Sequence, residues 1–241
     1  MRILGIDTST NFFCLGVYQD GRICEYNLDA GRKLSGIITL TIKRVIGALG
    51  WRLNDIDYFA VGLGPGSFTG LRVGVATVKG LAFSLNKPVI GIPTLDLLVA
   101  NAPEGAERVI PVVDAKRGLV YAGVYRRDNG KIIRTGPNML LTMDELLKKS
   151  GTREKTAVLG DAIGLYKQDL TRMKNAALLD KDYWYPNGRN LMKLAIEAAA
   201  SGKAGNAFGI KPVYLYPKEC QIRYKSRVTP RLLGARKSQE C

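Results

Sequence analysis

The sequence predicts an α/β protein built from two similar halves, each a mixed sheet with helices packed on its faces. Residues 2–100 show three strands and then helix, strand, helix, strand, helix, and from Arg108 three strands, a helix and a strand follow again. Each half has a two-residue hairpin signal between its second and third strands, Asp20-Gly21 and Asn129-Gly130. The order of elements alone predicts the duplication, because no sequence repeat is readable.

The first half opens with a predicted antiparallel meander. Its three strands, RILGIDTS, FFCLGVYQ and RICEYNLD, begin at Arg2, Phe12 and Arg22. If Asp20-Gly21 is the turn, Val17 lies opposite Cys24 and Cys14 lies opposite Asn27. Because side chains alternate along a strand, Cys14 and Cys24 point to opposite faces and cannot form a disulfide. The chain's cysteines form no CxxC pair, and we interpret them as reduced structural thiols.

Three helices and two strands complete the first half. The predicted elements are a helix over Ser35–Leu49, a strand over Asp57–Gly62, a helix over Leu71–Leu85, a strand over Val89–Ile92 and a short helix from Thr94 to Ala100. Gly50 is placed to end the first helix, and Thr94 is a good N-cap for the last. The glycine-rich loop Gly62–Gly70 precedes the second helix, which Ser67 or Thr69 can cap.

The second half begins near Pro103-Glu104-Gly105. Its predicted elements are strands over Arg108–Asp114, Leu119–Tyr125 and Lys131–Arg134, a helix over Met143–Lys149, a strand over Ala157–Gly160 and a helix over Asn190–Ser201. We therefore predict one lobe over residues 1–103, a second over 104–216, and a basic, flexible tail over 217–241 that holds seven Lys and Arg against two Asp and Glu.

Composition excludes several kinds of chemistry. The 241 residues contain 36 Lys and Arg against 21 Asp and Glu, a formal charge of +15, and no histidine. Without imidazole there is no Ser-His-Asp triad, Cys-His pair, histidine general base or histidine-bound zinc. The basic excess favours contact with a polyanion such as nucleic acid. The chain starts without a signal-peptide pattern and has no long apolar run, so we expect a cytoplasmic protein with no membrane span.

Two strand ends carry acids that could serve chemistry. Asp7, Thr8 and Ser9 end the first strand, and Asp114 ends the equivalent strand of the second half. The first loop resembles the one that presents an acid and small groups to metal and phosphate in actin-like and sugar-kinase-like ATPases, so these four residues are candidates for a vestigial nucleotide cleft. The alternative is a turn stabilised by hydroxyl-to-backbone hydrogen bonds. The later GPGSFTG segment lacks the lysine of a P-loop, and a capped turn explains each of its residues.

The helix after GPGSFTG has more apolar surface than one sheet can cover. When the helix is projected at 100° per residue, one narrow arc contains Arg72, Ala76, Lys79 and Phe83. The rest of the helix surface consists of apolar or small residues. A helix on one side of a sheet needs an apolar stripe of about 100°. Two readings remain open: a partner's helix packs on the rest, or the chain's own first long helix covers it.

Four segments together resemble the bacterial TsaB (YeaZ) family. They are ILGIDTST from Ile3, the glycine-rich loop and helix from Gly62 to Ala82 containing GPGSFTGLR, Pro93-Thr94-Leu95, and VDAKR from Val113. The resemblance runs from Met1 to about Tyr216 and does not cover the tail. It implies two RNase H-like lobes of the actin-like ATPase superfamily.

The family resemblance also implies a function. TsaB is a paralogue of TsaD, the catalytic subunit that transfers a threonylcarbamoyl group to the adenosine next to the anticodon in tRNA. TsaD binds its catalytic metal with a pair of histidines, which this chain lacks, so the resemblance implies a non-catalytic partner. This chain would need no cofactor and no metal of its own, with ATP and Mg²⁺ acting at the level of the complex.

Family members dimerise through helices of the first lobe, with themselves or with TsaD, and the ATPase TsaE joins the assembly. We therefore expect a homodimer when the chain is alone, and partners TsaD, TsaE and, through the complex, tRNA. The predicted interface residues are Ile38, Ile42, Val45, Gly70, Leu71, Gly74, Val75, Thr77, Val78 and Leu81. Gly74→Leu or Val78→Asp should then abolish the complex and leave the monomer folded. Leu34-Ser35-Gly36 stands where the family often has His-Ser-Glu, so any contact made there must differ.

Two functions from different classes compete. The first is a scaffold subunit of the tRNA threonylcarbamoyladenosine machinery. The second is an enzyme, either an ATPase that uses Asp7 and Asp114 across the cleft or, ranked far lower, a glycoprotease, for which the sequence shows no metal site or activated nucleophile.

Overall fold

The computed structural model describes residues 1–150 and 154–216, and its first sheet has the predicted mixed topology. The strands are β1 (Arg2–Asp7), β2 (Phe12–Gln19), β3 (Arg22–Asp29), β4 (Tyr58–Gly62) and β5 (Val89–Ile92). They lie in the order β3-β2-β1-β4-β5. The first three are antiparallel neighbours, and β4 and β5 continue parallel to β1. The predicted meander is confirmed.

The hairpin between β2 and β3 has the predicted register. Gln19 pairs with Arg22, Val17 with Cys24, and Cys14 with Asn27. Positive φ angles at Asp20 and Gly21 fit a two-residue type I′ turn. Cys14 is buried and Cys24 is exposed, and both thiols are free. The expectation that these two cysteines are not bridged is confirmed.

The second sheet repeats the strand order of the first with two interrupted strands. Its members are β6 (Arg108–Lys116), β7 (Leu119–Ala122), β8 (Tyr125–Asp128), β9 (Lys131–Arg134), β10 (Met139–Thr142), β11 (Thr156–Leu159) and β12 (Ala176–Leu178). Both β7 and β8 pair with β6, while β10 pairs with β7 and β9 with β8. On the other side of β6 lie β11 and then β12, both parallel to it. Each lobe therefore places its third, second, first, fourth and fifth strands side by side, which confirms the predicted α/β fold class.

In the part of the chain that the structure describes, six α-helices cover the sheets. They are α1 (Leu34–Ala48), α2 (Phe68–Ser84), α3 (Thr94–Val99), α4 (Met143–Ser150), α5 (Ile163–Leu170) and α6 (Gly188–Ala200). The described residues contain no helix long and apolar enough to cross a bilayer. One face of the first sheet packs against α1 and α2, and one face of the second sheet packs against α4 and α5.

The two remaining helices cross between the lobes. Although α3 follows the last strand of the first sheet, its Leu95, Leu98 and Val99 pack against the second sheet. Conversely, α6 comes late in the chain, yet Leu191 and Met192 pack against the first sheet. The predicted boundary between residues 1–103 and 104–216 is therefore wrong for these helices. The apolar face of α3 packs on the second sheet, and the apolar face of α6 packs on the first. The tail predicted over 217–241 lies outside the described residues.

Candidate functional site

The Asp7 carboxyl group is buried at the end of β1 and fully engaged. One oxygen, Oδ1, accepts hydrogen bonds from the Ser9 amide at 2.8 Å and the Ser9 hydroxyl at 2.6 Å, and Oδ2 accepts one from the Thr94 hydroxyl at 2.8 Å. Burial raises the pKa of Asp7, and the hydrogen bonds from Ser9 and Thr94 oppose the rise. Asp7 therefore ties the turn after β1 to the first residue of α3.

Thr94 serves this connection and does not cap α3. The N-cap residue of α3 is Pro93, and it makes no side-chain capping bond. The Thr94 hydroxyl accepts from the Gly64 amide at 3.0 Å while it donates to Asp7, and the Thr94 amide donates to the Gly64 carbonyl at 2.8 Å. The predicted N-cap is wrong because two buried groups of the first lobe bind the same hydroxyl. For α2 the sequence predicted Ser67 or Thr69 as the N-cap. The prediction is confirmed for Ser67, whose Oγ accepts a hydrogen bond from the Gly70 amide at 3.2 Å.

The glycine-rich loop fills the space beside the hydroxyl turn. Ser67 donates its amide proton to the Ser9 carbonyl at 2.6 Å, and the Thr8 hydroxyl donates to the Gly70 carbonyl at 2.8 Å. A Cβ atom at Gly66 would lie 2.3 Å from the Ser9 carbonyl oxygen, so only glycine permits this approach. The loop thus packs against the turn, and both oxygens of Asp7 already accept hydrogen bonds from within the chain.

A cleft of about 670 Å³ opens between the lobes. The first lobe contributes Ser9, Thr10, Asn11 and residues 66–69, the second contributes residues 113–117, Tyr121 and Asp161, and the returning chain contributes residues 214–216. Of the four predicted cofactor-binding residues, Ser9 and Asp114 line this cleft, whereas Asp7 and Thr8 do not. The expectation that Asp7 and Asp114 face each other across the cleft is therefore wrong.

Asp114 shares the cleft with a carboxylate that sequence reasoning missed. The Asp161 side chain accepts a hydrogen bond from the Asp114 amide at 2.9 Å, and Asp114 in turn forms an ion pair with Lys116. Burial raises the pKa of Asp161 to about 6. The hydrogen bond to Asp114 raises the pKa of Lys116. Asp161 follows the predicted strand Ala157–Gly160, so the strand-end logic that selected Asp7 and Asp114 could have found it.

Two aromatic pairs line the cleft. Phe68 and Tyr214 contact at 5.3 Å between ring centroids, and Tyr121 and Tyr216 meet edge to face at 6.2 Å. The Tyr216 hydroxyl donates to the Ala115 carbonyl at 2.9 Å, which holds the returning chain against the second lobe. Within the described ranges, no three His, Cys, Asp or Glu residues converge in a way that could hold a metal ion. The cleft can accommodate a planar or polar ligand, but it offers no preformed metal centre.

The predicted interface residues divide into a buried majority and a half-buried minority. Buried in the chain's own core or against its first-lobe turn are Ile38, Ile42, Gly70, Leu71, Gly74, Val75 and Val78. These residues offer no surface to a partner, so the prediction is wrong for them: the sheet, and not a partner, covers this apolar face. Val45, Thr77 and Leu81 are half-buried, and their contact with a partner stays a prediction.

The opposite sides of α1 and α2 form an exposed surface, which we call the outer face. It comprises Gly36, Leu40, Lys43 and Gly47 of α1 together with Ala76, Gly80 and Phe83 of α2. Leu40 is 47% exposed and Phe83 is 65% exposed. The two helices lie side by side on the sheet, so their exposed sides form one surface. On it, small residues lie next to the large apolar side chains of Leu40 and Phe83.

Known proteins of two kinds are similar to this chain. The family model described as "TsaD: tRNA N6-adenosine threonylcarbamoyltransferase" matches residues 28–184. The tRNA threonylcarbamoyladenosine biosynthesis protein TsaB of Escherichia coli K12 is 30% identical over 223 residues, 89% of this chain and 94% of that protein. TsaB of Bacillus subtilis 168 is 31% identical over 70% of this chain and 74% of its own length. A structure of YeaZ from Pseudomonas aeruginosa superposes with a TM-score of 0.77 at 29% identity, covering 89% of this chain and 99% of that one.

Proposed function

The chain belongs to the TsaB family of tRNA threonylcarbamoyladenosine biosynthesis proteins, with the two-lobed fold of the actin-like ATPases, and from this premise we propose that it is a non-catalytic scaffold subunit of that machinery. In this role it binds the catalytic paralogue TsaD through its first lobe. The ATPase TsaE joins the same assembly, and tRNA is contacted through the complex. When alone, the chain forms a homodimer.

The outer face of α1 and α2 carries the proposal. Glycine and alanine at Gly36, Gly47, Ala76 and Gly80 let the backbone of another helix approach closely, because the distance between packed helices is set by the side chains at the contact. Leu40 projects from the same surface and would be buried by such a helix. This face replaces the buried residues of the sequence prediction as the contact surface. Gly36 belongs to the segment that departs from the family's His-Ser-Glu, so contacts at that end differ from those of relatives that have it.

The locked Asp7 supports a non-catalytic role. Its two oxygens already accept three hydrogen bonds, and the chain has no histidine to bind a metal as TsaD does. The residues at this position therefore do not fit a metal-bound nucleotide, although the fold places an acid there.

Co-elution with TsaD of the same organism tests the proposal. The variants first suggested by the sequence are unsuitable, because Val78 is fully buried and a Cβ at Gly74 would lie 2.1 Å from the Thr8 hydroxyl. Gly80→Leu is suitable, since a Cβ there meets nothing within 4 Å. We expect Gly80→Leu to weaken the complex at least about tenfold while the monomer stays folded. Gly136→Leu, on the second lobe and equally unobstructed, should bind like the natural chain. Unchanged affinity of the Gly80 variant would contradict the interface.

The interlobe cleft favours a second candidate function, nucleotide binding. Its volume of about 670 Å³ lies in the range of small-molecule sites, and Asp114, Asp161, Lys116 and Arg117 are its charged groups. Calorimetric titration with Mg-ATP separates the two functions. Tight binding that is lost in Asp114→Ala would support an ATP-binding protein, whereas absence of binding would leave the scaffold function alone.

A further inference from the structure

Two of the three most exposed large apolar side chains among the described residues lie in contact with each other. Phe83, in the last turn of α2, is 65% exposed, and Phe208, from the chain that returns after α6, is 70% exposed. Their rings meet edge to face with centroids 5.3 Å apart. Single apolar residues are common on protein surfaces, whereas contiguous exposed apolar surface marks sites that a partner covers. We call these two residues the phenylalanine pair.

A tight turn presents Phe208 to solvent. The Gly209 amide donates to the carbonyl of Asn206 at 3.2 Å and to its side-chain Oδ1 at 3.0 Å. Asn at the first position and Gly at the fourth are typical of such a turn. Ala207 packs in the first-lobe core and is 6% exposed, whereas its neighbour Phe208 stays outside. Folding gains more from burying the larger of two apolar side chains, so the stability of the single chain does not explain this arrangement.

The turn is tied to the first lobe on both sides of Phe208. Before it, Gly205 and Val89 of β5 exchange two backbone hydrogen bonds, of 2.7 and 2.9 Å. After it, the Lys79 ammonium group of α2 donates to the Ile210 carbonyl at 3.2 Å. The backbone that carries Phe208 is therefore fixed before any partner binds, and this reduces the conformational entropy that binding would cost.

The phenylalanine pair continues the outer face of α1 and α2. Phe83 belongs to the outer face itself, and Phe208 adds the turn of the returning chain to it. Residues three apart are neighbours on a helix surface, so a partner helix that packs over Gly80 also reaches Phe83. The outer face thus offers small residues that permit close approach and, next to them, two aromatic rings that the same partner would bury.

We propose that the phenylalanine pair is an anchor for TsaD, so that the contact surface of this chain extends from the helices of the first lobe onto the turn at Phe208. Aromatic side chains that become fully desolvated carry much of the binding energy of protein interfaces. Phenylalanine has no polar atom that needs a hydrogen-bond partner, so the matching surface of TsaD is apolar.

The proposal rests on the proposed function for the identity of the partner, and variants at Gly80 and Phe208 distinguish the failures of the two. If the natural chain does not bind TsaD, the proposed function fails and the anchor fails with it. If Gly80→Leu weakens the complex while Phe208→Ala binds like the natural chain, the outer face is the interface and only the anchor is refuted.

Calorimetric titration with TsaD of the same organism tests the anchor. Phe208→Ala and Phe83→Ala each remove one ring and should each weaken binding at least about tenfold. The matched control is Leu165→Ala on α5, which removes a side chain that is also 65% exposed and should bind like the natural chain. Urea unfolding of each variant alone should show little loss of stability at Phe208, because most of this ring is already in water. A less stable Phe208→Ala variant with unchanged affinity would show that the ring only holds the turn, and would overturn the proposal.

The alternative occupant is a second copy of this chain. Light scattering on the natural chain and on Phe208→Ala, each without TsaD, compares their dimerisation. Weaker dimerisation of Phe208→Ala together with unchanged affinity for TsaD would assign the phenylalanine pair to the homodimer and overturn the proposal.

Thiol alkylation measures the burial of the turn directly. Phe208→Cys and, as the control, Leu165→Cys are made in a chain whose cysteines other than the buried Cys14 are replaced, by Cys24→Ser, Cys220→Ser and Cys241→Ser. Saturating TsaD should slow the reaction of Phe208→Cys with iodoacetamide at least about tenfold, because access limits a thiol that a partner covers. The reaction of Leu165→Cys should not change. No protection at Phe208, or equal protection at both positions, would overturn the proposal.

Discussion

Alanine at two glycines of α2 should change stability in opposite directions. Each substitution raises helix propensity by about 1 kcal/mol. At Gly80 the new Cβ meets nothing within 4 Å, so about 0.5–1 kcal/mol of extra stability should be measured. At Gly74 the new Cβ would lie 2.1 Å from Oγ1 and 3.2 Å from Cβ of Thr8, whose hydroxyl is bonded to the Gly70 carbonyl.

The helix and the turn cannot both keep their positions in Gly74→Ala. Overpacking of this kind costs about 1–3 kcal/mol, and loss of the Thr8 hydrogen bond adds about 1 kcal/mol. After the gain in helix propensity, Gly74→Ala should lower the free energy of unfolding by about 1–3 kcal/mol.

Urea unfolding followed by circular dichroism measures both effects. Gly36→Ala, on α1 and also unobstructed, is the control for helix propensity and should behave like Gly80→Ala. A neutral or stabilising Gly74→Ala would refute the tight contact between α2 and the β1 turn. A destabilising Gly80→Ala would show that this glycine already serves the single chain, which would remove the reason to assign it to a partner.

Two further predictions concern the buried polar groups. Because burial raises the pKa of Asp161 to about 6, the native chain holds a proton there that the unfolded chain has lost above about pH 4, so stability from this group falls as pH rises from about 4 to 6. Asp161→Asn should flatten that slope, and its free energy of unfolding in urea should exceed that of the natural chain by up to about 2 kcal/mol at pH 8. Parallel pH profiles of the two proteins would contradict this prediction. Thr94→Val leaves the Asp7 carboxylate and the Gly64 amide each short of one buried partner and should cost about 2–4 kcal/mol, whereas the exposed control Thr39→Val should cost almost nothing. Equal stability of these two threonine variants would show that Thr94 does not hold Asp7.

Local signals predicted most of the secondary structure. The turn residues Asp20-Gly21 and Asn129-Gly130 defined both hairpins, and apolar runs between glycines and prolines gave the strand over Val89–Ile92 without error. The sequence reading missed β10, α5 and β12, and it took β7 and the start of β8 as one strand, Leu119–Tyr125. The α5 segment has a weak apolar pattern and a non-helical Tyr166, and β12 is three residues long with an exposed central residue. Such elements form because neighbouring elements pack on them, which no short window of sequence contains.

The candidate site shows the same division. The sequence identified Asp7 at the end of β1 and Asp114 near the end of β6, since a polar residue after an apolar run is a local feature. It could not show that Thr94, 87 residues away, would bind Asp7, or that loop 64–70 would fill the adjacent space. Asp161 lies in the cleft because β11 pairs with β6, and the sequence does not show that pairing.

The sequence by itself determined the α/β class, the duplicated order of strands, the register of the first hairpin and the membership of a family, because these follow from spacing, turn chemistry and residue identity along the chain. Tertiary structure alone decided that α3 and α6 exchange lobes, that the apolar side of α2 faces its own sheet, and that Asp7 is a structural tie. A periodic pattern indicates that a helix face must be buried, and a buried carboxylate needs hydrogen-bond partners. The surface that covers the helix face and the groups that bind the carboxylate depend on contacts between residues far apart in the chain.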